Sequence, residues 1–485
     1  MIIPKDNLSL EEFISVTKGE WVKISKTGIK RVKEGREALE KLLKENIPIY
    51  GVNTGFGALC DKKIENRDLE SLQKNLILSH ALGGGEIFDK EIVRGAMFLR
   101  ANTLSKGFSG VRLELVNFLL ELLNRDIIPV VYKKGSVGAS GDLLPLAQIG
   151  LTLLGKGEVF YKGRRGKAAI ALKKEGLAPI KLEPKEGLSL INGTEISTSY
   201  LGFNLYLINR LFPIANLIAT LSFYAGKGDV RVLDLRLHRL KPYSGQLKTT
   251  RAMKRILGKL SSLSRKIQDP YSLRCIPQVH GAVYEGIKFA NEILKKELNA
   301  VTDNPLILSS SEVLTGGNFH AQAISLAGDI LSIVLTTLSL ISERRIFYLL
   351  SGPPPFLISD EGKNSGLMMA QVLAASLASE NKTLSFPASV TSLPTSLNQE
   401  DFVSMSINSL TKMETIRKNL EMILAIEGVV SAQGIEVKNL PKRGIIGSLC
   451  RKIREFVPFL KEDKEIGEGI RKLSENLYIL FKTTY

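Results

Sequence analysis

Cysteine is scarce in this chain: Cys60, Cys275 and Cys450 are odd in number and far apart, so they offer neither a disulfide framework nor a C-x-x-C metal or redox motif. Histidine is equally thin. His80, His238, His280 and His320 are scattered, nothing like H-E-x-x-H appears, and no metal site is expected. A clean membrane span is missing too, because the longest apolar stretch, Phe203 to Gly226, contains Asn204, Asn209, Arg210, Pro213 and Asn216. That pattern fits a buried helix of a large bundle. The first residues, Met1-Ile-Ile-Pro-Lys-Asp6, carry no apolar h-region or small-residue cleavage site, so the expected location is cytoplasmic. Internal repeats and low-complexity tracts are also absent.

The 485 residues are 44% hydrophobic, enough for a large core and two or three domains by length. A formal charge of +17 raises the question of nucleic acid, with basic clusters at Lys162 to Lys167, Arg251 to Arg255 and Lys438 to Arg454. Apolar residues at helical spacing interrupt these clusters, and no finger, RNP-type or zipper pattern accompanies them. They read as solvated basic surface, serving solubility, attraction of an anionic substrate or growth at high temperature.

Short strand candidates fall in the first two hundred residues, at Glu20 to Ile24, Pro48 to Val52 and Ile128 to Tyr132, with a hairpin at Gly157 to Gly163. From about Asn192 onward, long apolar-periodic segments take over: 201–224, 282–296, 322–350, 367–383 and 405–434, several too apolar for a surface position. The expected fold is mainly α, a long helical bundle over 192–485 with a smaller α+β amino-terminal domain over 1–191. The Pro353-Pro-Pro355 run and the turn-rich segment from Phe386 to Asn398 break the helical region where functional loops tend to sit.

Chemistry concentrates in Gly135-Ser-Val-Gly-Ala-Ser-Gly-Asp-Leu-Leu-Pro-Leu146, a serine inside a run of small residues. Spacing excludes a G-x-S-x-G nucleophile elbow, since the second glycine comes one position early. Two readings remain for the segment alone. One is a tight turn feeding a helix, with Asp142 in the first turn and Pro145 just inside. The other is backbone cyclisation. Gly141 lets the chain bend so that its amide nitrogen meets the Ala139 carbonyl carbon, and loss of water from Ser140 then yields an alkylidene electrophile.

The string Gly-Ser-Val-Gly-Ala-Ser-Gly-Asp-Leu resembles the prosthetic-group loop of the aromatic amino acid ammonia-lyases and aminomutases. Other blocks resemble that family in its own order: Tyr50 to Gly57, Asn75 to His80, Leu190 to Thr194, Gln268 to Cys275, Thr302 to Pro305, Gly316 to His320 and Asn398 to Asp401. The resemblance covers roughly residues 50 to 405. It implies a 4-methylideneimidazol-5-one (MIO) formed from Ala139, Ser140 and Gly141. It further implies a homotetramer whose active sites draw on more than one subunit, with no metal, nucleic acid or membrane partner. Tyr50 matches the family's base, Arg274 its carboxylate-binding fork, and Asn192 the residue bonding near the prosthetic group. Tyr271 and Gln268 line the site by the same resemblance, and Phe319 packs against the ring. Each also has a plainer reading, as a core tyrosine, a surface salt bridge or a turn residue.

Four details draw the resemblance toward the family's histidine type: Ser79-His80, Glu400 in Asn-Gln-Glu-Asp, the block Gln268 to Cys275, and the segment Asn364 to Val372. A glutamate beside an imidazole makes sense because it accepts a ring N–H, whereas beside a phenyl ring it is a buried charge without a partner. The implied reaction is elimination of ammonia from histidine to give urocanate, with Glu400 as a catalytic residue and His80 in substrate binding. Three departures make the pocket region less polar. Phe402 stands where histidine usually follows Glu-Asp, Phe386 and Thr391 replace His and Asp, and Gln322 replaces a glutamate. They leave open a relative acting on tyrosine, phenylalanine or a modified histidine, or an aminomutase. A catalytically silent helical scaffold or basic nucleic-acid binder is disfavoured, because it has no use for both the triplet and Tyr50.

Overall fold

The computed structural model describes residues 1–258, 264 and 266–481. Five long helices dominate: Glu195–Ala225, Ile276–Glu297, Gln322–Leu350, Met368–Leu384 and Ser406–Val437. Each encloses or closely overlaps a segment expected from the sequence. In Glu195–Ala225 the sides that face protein include Leu201, Leu205, Ile208, Ile218 and Leu221, all essentially buried, as required of a helix apolar on most of its circumference. The most apolar window of the segment Glu186–Ala225 is 72% buried within the protein.

The chain folds as two compact units. The first comprises Met1–Tyr206, Asn291–Gly328 and Pro387–Thr411; the second comprises Leu207–Ala290, Asp329–Phe386 and Lys412–Tyr485. Shorter helices build the first unit. In Lys26–Lys44, Ser25 caps the amino terminus by accepting from Gly28 N at 2.9 Å, while Val32, Leu39 and Leu42 recur on one face and are buried. Leu39 and Leu42 pack with Ile49, Val52 and Ile307, and this cluster anchors the start of the Tyr50 loop.

Its sheets are small. Ile128–Pro129, Glu158–Tyr161 and Arg164–Lys167 form a three-stranded antiparallel sheet, in which the last two strands make the expected hairpin. Pro48 to Val52 is not a strand but a turn: Gly51 adopts φ +65°, and Asn53 Oδ1 accepts from Ile49 N at 2.7 Å, so side-chain bonding to the local backbone wins over pairing. A hairpin of Leu306–Ser309 and Glu312–Leu314 stands where helix patterns prevail in the sequence.

Within the second unit a fully buried ionic network replaces part of the apolar core. Glu427 accepts from Arg345 Nε at 2.5 Å and Nη2 at 3.0 Å and from Ser222 Oγ at 2.5 Å. Burial, then the Arg345 charge, holds His280 well below its ordinary pKa, and its neutral ring bonds Asn216 Oδ1 at 2.8 Å. Such a network holds helices in register, and removing one member would strand a buried charge.

Candidate active site

Small residues carry the Ser140 loop because larger ones cannot enter. Gly141 sits at φ +74°, and a Cβ there would lie 2.3 Å from the Gly193 carbonyl oxygen. Gly138, at φ +65°, would bring a Cβ within 2.4 Å of the Ser404 and Ser406 hydroxyls. Ala139 is buried with Ala388, Val403 and Met405, so both flanks of the serine are fixed by packing.

Asp142 fastens the loop from behind. Its carboxylate accepts from Ser197 N and Ser197 Oγ, each at 2.7 Å, and from Ser136 Oγ at 3.0 Å, while its own amide donates to Gly193 O at 2.7 Å. Complete burial nevertheless pushes its pKa up to about 6. Asn192 Nδ2 donates to the Ser140 carbonyl at 2.8 Å, and the Asn192 carbonyl is held in turn by Arg100 at 2.7 Å. Asn192 therefore does more than make the plain turn that Asn-Gly permits.

A cavity of about 570 Å³ opens over this loop, lined by Tyr50, Cys60, Ser140, Phe319, His320, Glu400 and Phe402 among others. A smaller one, about 230 Å³, shares Tyr50, Ser140 and Glu400 and adds Phe56, His80 and Asn192. The Ser140 hydroxyl donates to Glu400 Oε1. Tyr50 Oη accepts from Gly57 N at 2.8 Å, although burial raises the phenol above its ordinary pKa. That backbone donor favours the phenolate, which a base must become. Burial also lowers the His80 pKa. With the ring neutral, Nδ1–H donates to Leu76 O at 2.9 Å and Nε2 keeps its lone pair for another donor.

Six sequence-identified positions thus converge in the first unit: Tyr50, His80, Ser140, Asn192, Phe319 and Glu400, with Ala139 and Gly141 flanking the serine. Gln268, Tyr271 and Arg274 belong to the second unit. There, Tyr271–Arg274 is a single helical turn, so Gln268 is not on a helical face with the other two; Asp269 precedes Pro270 and is disfavoured from helical geometry. The Arg274 guanidinium lies 4.8 Å from the centre of the Tyr271 ring, and its buried Nε has no partner among the described residues. Of the departing positions, Phe402 lines the larger cavity and stacks against His320, with ring centres 6.2 Å apart. Sequence reasoning missed Thr395 and Ser396, which bond Glu400, and His320; hydroxyls in a loop carry no signal of their own. No group of three or more His, Cys, Asp or Glu able to hold a metal occurs among the described residues.

Behind the loop, Glu297 is the partner of Thr194, whose Oγ1 donates to it at 3.2 Å. Burial, reinforced by Glu195 and Asp142, pushes its pKa up to about 7. The folded protein then holds a proton that the unfolded chain releases above about 4.5. This contribution is fully present below that value and lost as pH rises through about 7. Glu297→Gln should remove that dependence, by up to about 3 kcal/mol. Thermal melts at pH 5 and pH 8 check it: the wild type should lose more stability between the two than the variant.

The chain belongs to the aromatic amino acid lyase family, whose profile matches residues 8–457, and it is a carbon–nitrogen lyase. The histidine ammonia-lyase of Caldanaerobacter subterraneus is 43% identical over 477 residues, covering 96% of this chain and 94% of that protein. Among solved structures, histidine ammonia-lyase from Trypanosoma cruzi superposes with a TM-score of 0.91 at 34% identity, covering 99% of this chain and 94% of that one. Tyrosine aminomutase from Streptomyces globisporus gives 0.92 at 31% identity, covering 99% and 97%. The fold therefore serves both lyases and aminomutases.

Proposed function

We propose that this protein eliminates ammonia from L-histidine, giving urocanate, with an MIO built from Ala139, Ser140 and Gly141. The observation that carries the reading is the Glu400 carboxylate directed at Ser140 in a cavity shared with Tyr50 and His80. The residues fit the group. Gly141 has the tight left-handed bend, the Ser140 carbonyl is already held by Asn192, and among the described residues neither the Gly141 N–H nor the Ala139 carbonyl is committed to another backbone hydrogen bond. When formed, the MIO supplies an electrophilic carbon that activates the substrate.

The chain's own residues do the rest. Tyr50, as phenolate stabilised by Gly57 N–H, takes the weakly acidic β-proton. Arg274 offers two parallel donors to the substrate carboxylate, with Tyr271 and Gln268 beside it in sequence. Glu400 accepts the imidazole N–H, His80 lines the ring's surroundings, and Phe319 contributes an apolar wall. The homotetramer comes from the family resemblance; contact between copies is supported by apolar residues left exposed on Gln322–Leu350, where Leu326, Ile333 and Phe347 recur at multiples of seven. A cytoplasmic location accords with this reading. Phe402 favours a second reading, an ammonia-lyase or aminomutase for a less polar ring such as that of tyrosine or phenylalanine.

Incubation with each aromatic amino acid, followed by ultraviolet absorbance, separates these: urocanate should accumulate from histidine and little acrylate from the others. Tyr50→Phe should retain the fold and the two-water mass deficit of the mature protein, about 36 Da, yet lose about 10²–10⁴-fold in elimination rate. Retention of most activity would place the base elsewhere.

A further inference from the structure

Glu400 is held by its own loop in an unusual way. Ser396, Leu397 and Asn398 occupy the left-handed region in succession, at φ 50°, 55° and 65°, a conformation that L-residues adopt singly and seldom in a row. This turn folds Thr395 back onto Glu400. Thr395 N donates to Glu400 O at 3.0 Å and Glu400 N to Thr395 O at 3.3 Å. The two side chains above the turn then meet one carboxylate oxygen: Thr395 Oγ1 and Ser396 Oγ, the latter at 3.2 Å, both donate to Glu400 Oε2. Oε1 is left to face Ser140.

A glutamate carboxylate ordinarily rotates broadly about its last torsion. Two hydroxyls on one oxygen stop that rotation, and they leave the other oxygen aimed into the cavity. Ser140 loses its hydroxyl as water when the MIO forms, so Oε1 then becomes available to a ring N–H. Resting on the histidine reading above, we infer that Thr395 and Ser396 are positioning residues that fix Glu400 for recognition of an imidazole N–H. They act through Glu400 and do not touch the substrate.

The experiment compares wild type, Thr395→Val, Thr395→Ser, Ser396→Ala, Glu400→Gln and the double variant Thr395→Val/Glu400→Gln. Thr395→Val keeps shape and removes the donor. It should lower kcat/KM for histidine about 10- to 100-fold, because misplacing one group by about 1 Å costs that much. Thr395→Ser should restore turnover to within about threefold of wild type, and Ser396→Ala should give a smaller loss than Thr395→Val. In the Glu400→Gln background, adding Thr395→Val should change the residual rate by less than about twofold, since residues acting through one another are non-additive. Intact mass should be the same for wild type and every variant at these positions apart from the substitution itself, placing the defect after maturation.

Full additivity in the double variant would overturn the positioning role, as would histidine turnover by Thr395→Val within about twofold of wild type. A wild type that leaves histidine unconverted would overturn the histidine reading and this inference together. A wild type active on histidine with an unaffected Thr395→Val overturns the inference alone.

Discussion

Ser140→Ala should give a folded protein with almost no elimination activity. The substitution removes one oxygen from a loop whose position is set elsewhere, by Asp142 on Ser197, by Asn192 on the Ser140 carbonyl and by Ala139 in its apolar cluster. Packing therefore survives while the atoms needed for the electrophile do not. No ordinary side chain substitutes for an electrophile, so the loss should be on the order of 10⁵-fold or more, as when a covalent catalyst is deleted. Intact mass gives a second readout: the wild type should weigh about 36 Da less than its encoded chain, two waters, which is the balance of the cyclisation and dehydration. Ser140→Ala has no hydroxyl to lose and should not show that deficit. Near-normal turnover by the variant, or an active wild type at full encoded mass, would end the proposal.

Discrimination between rings is the second large effect. The Glu400 carboxylate is half-buried in the cavity, and once the Ser140 hydroxyl is gone one of its oxygens needs a donor. Histidine provides one. Phenylalanine does not, and binding it would leave the carboxylate without that hydrogen bond. Sites built around such a bond reject the analogue lacking it by about 10⁴–10⁵-fold. The wild type should therefore favour histidine over phenylalanine by that order in kcat/KM, and Glu400→Gln should reduce histidine turnover sharply. Steady-state kinetics on histidine, tyrosine and phenylalanine test this. Comparable turnover of tyrosine by the wild type would mean that Phe402, stacked on His320 at the cavity wall, sets the pocket's character.

The loop of residues 135–141 was legible through its resemblance to the ammonia-lyase family, since spacing alone left a plain turn open, and the structure gives Gly138 and Gly141 a steric reason. The long helices were legible from apolar periodicity alone. What stayed hidden was whatever depends on distant pairing or on local side-chain bonding. Leu306–Ser309 and Glu312–Leu314 pair with each other in strands too short and too exposed to alternate visibly. Pro48 to Val52 has the composition of a strand, but Asn53 bonds its backbone into a turn. Gln268 stands at a helical interval from Tyr271, yet the helical turn begins only after Pro270. The role of Thr395 and Ser396 needed three successive left-handed residues, and none of the three is glycine, the usual mark of that conformation.

The clasp between the Ser140 loop and the segment around Gly193 bears on biosynthesis. Gly141 is pressed against the Gly193 backbone, Asp142 is bonded to Gly193 and Ser197, and the Ser140 carbonyl is bonded to Asn192. A ribosome extrudes Ser140 before any of those partners exists outside the tunnel. Until they arrive, the bend at Gly141 lacks the contacts that hold it. On the proposed reading, the electrophile is therefore made only after residues 192–197 have folded onto the loop.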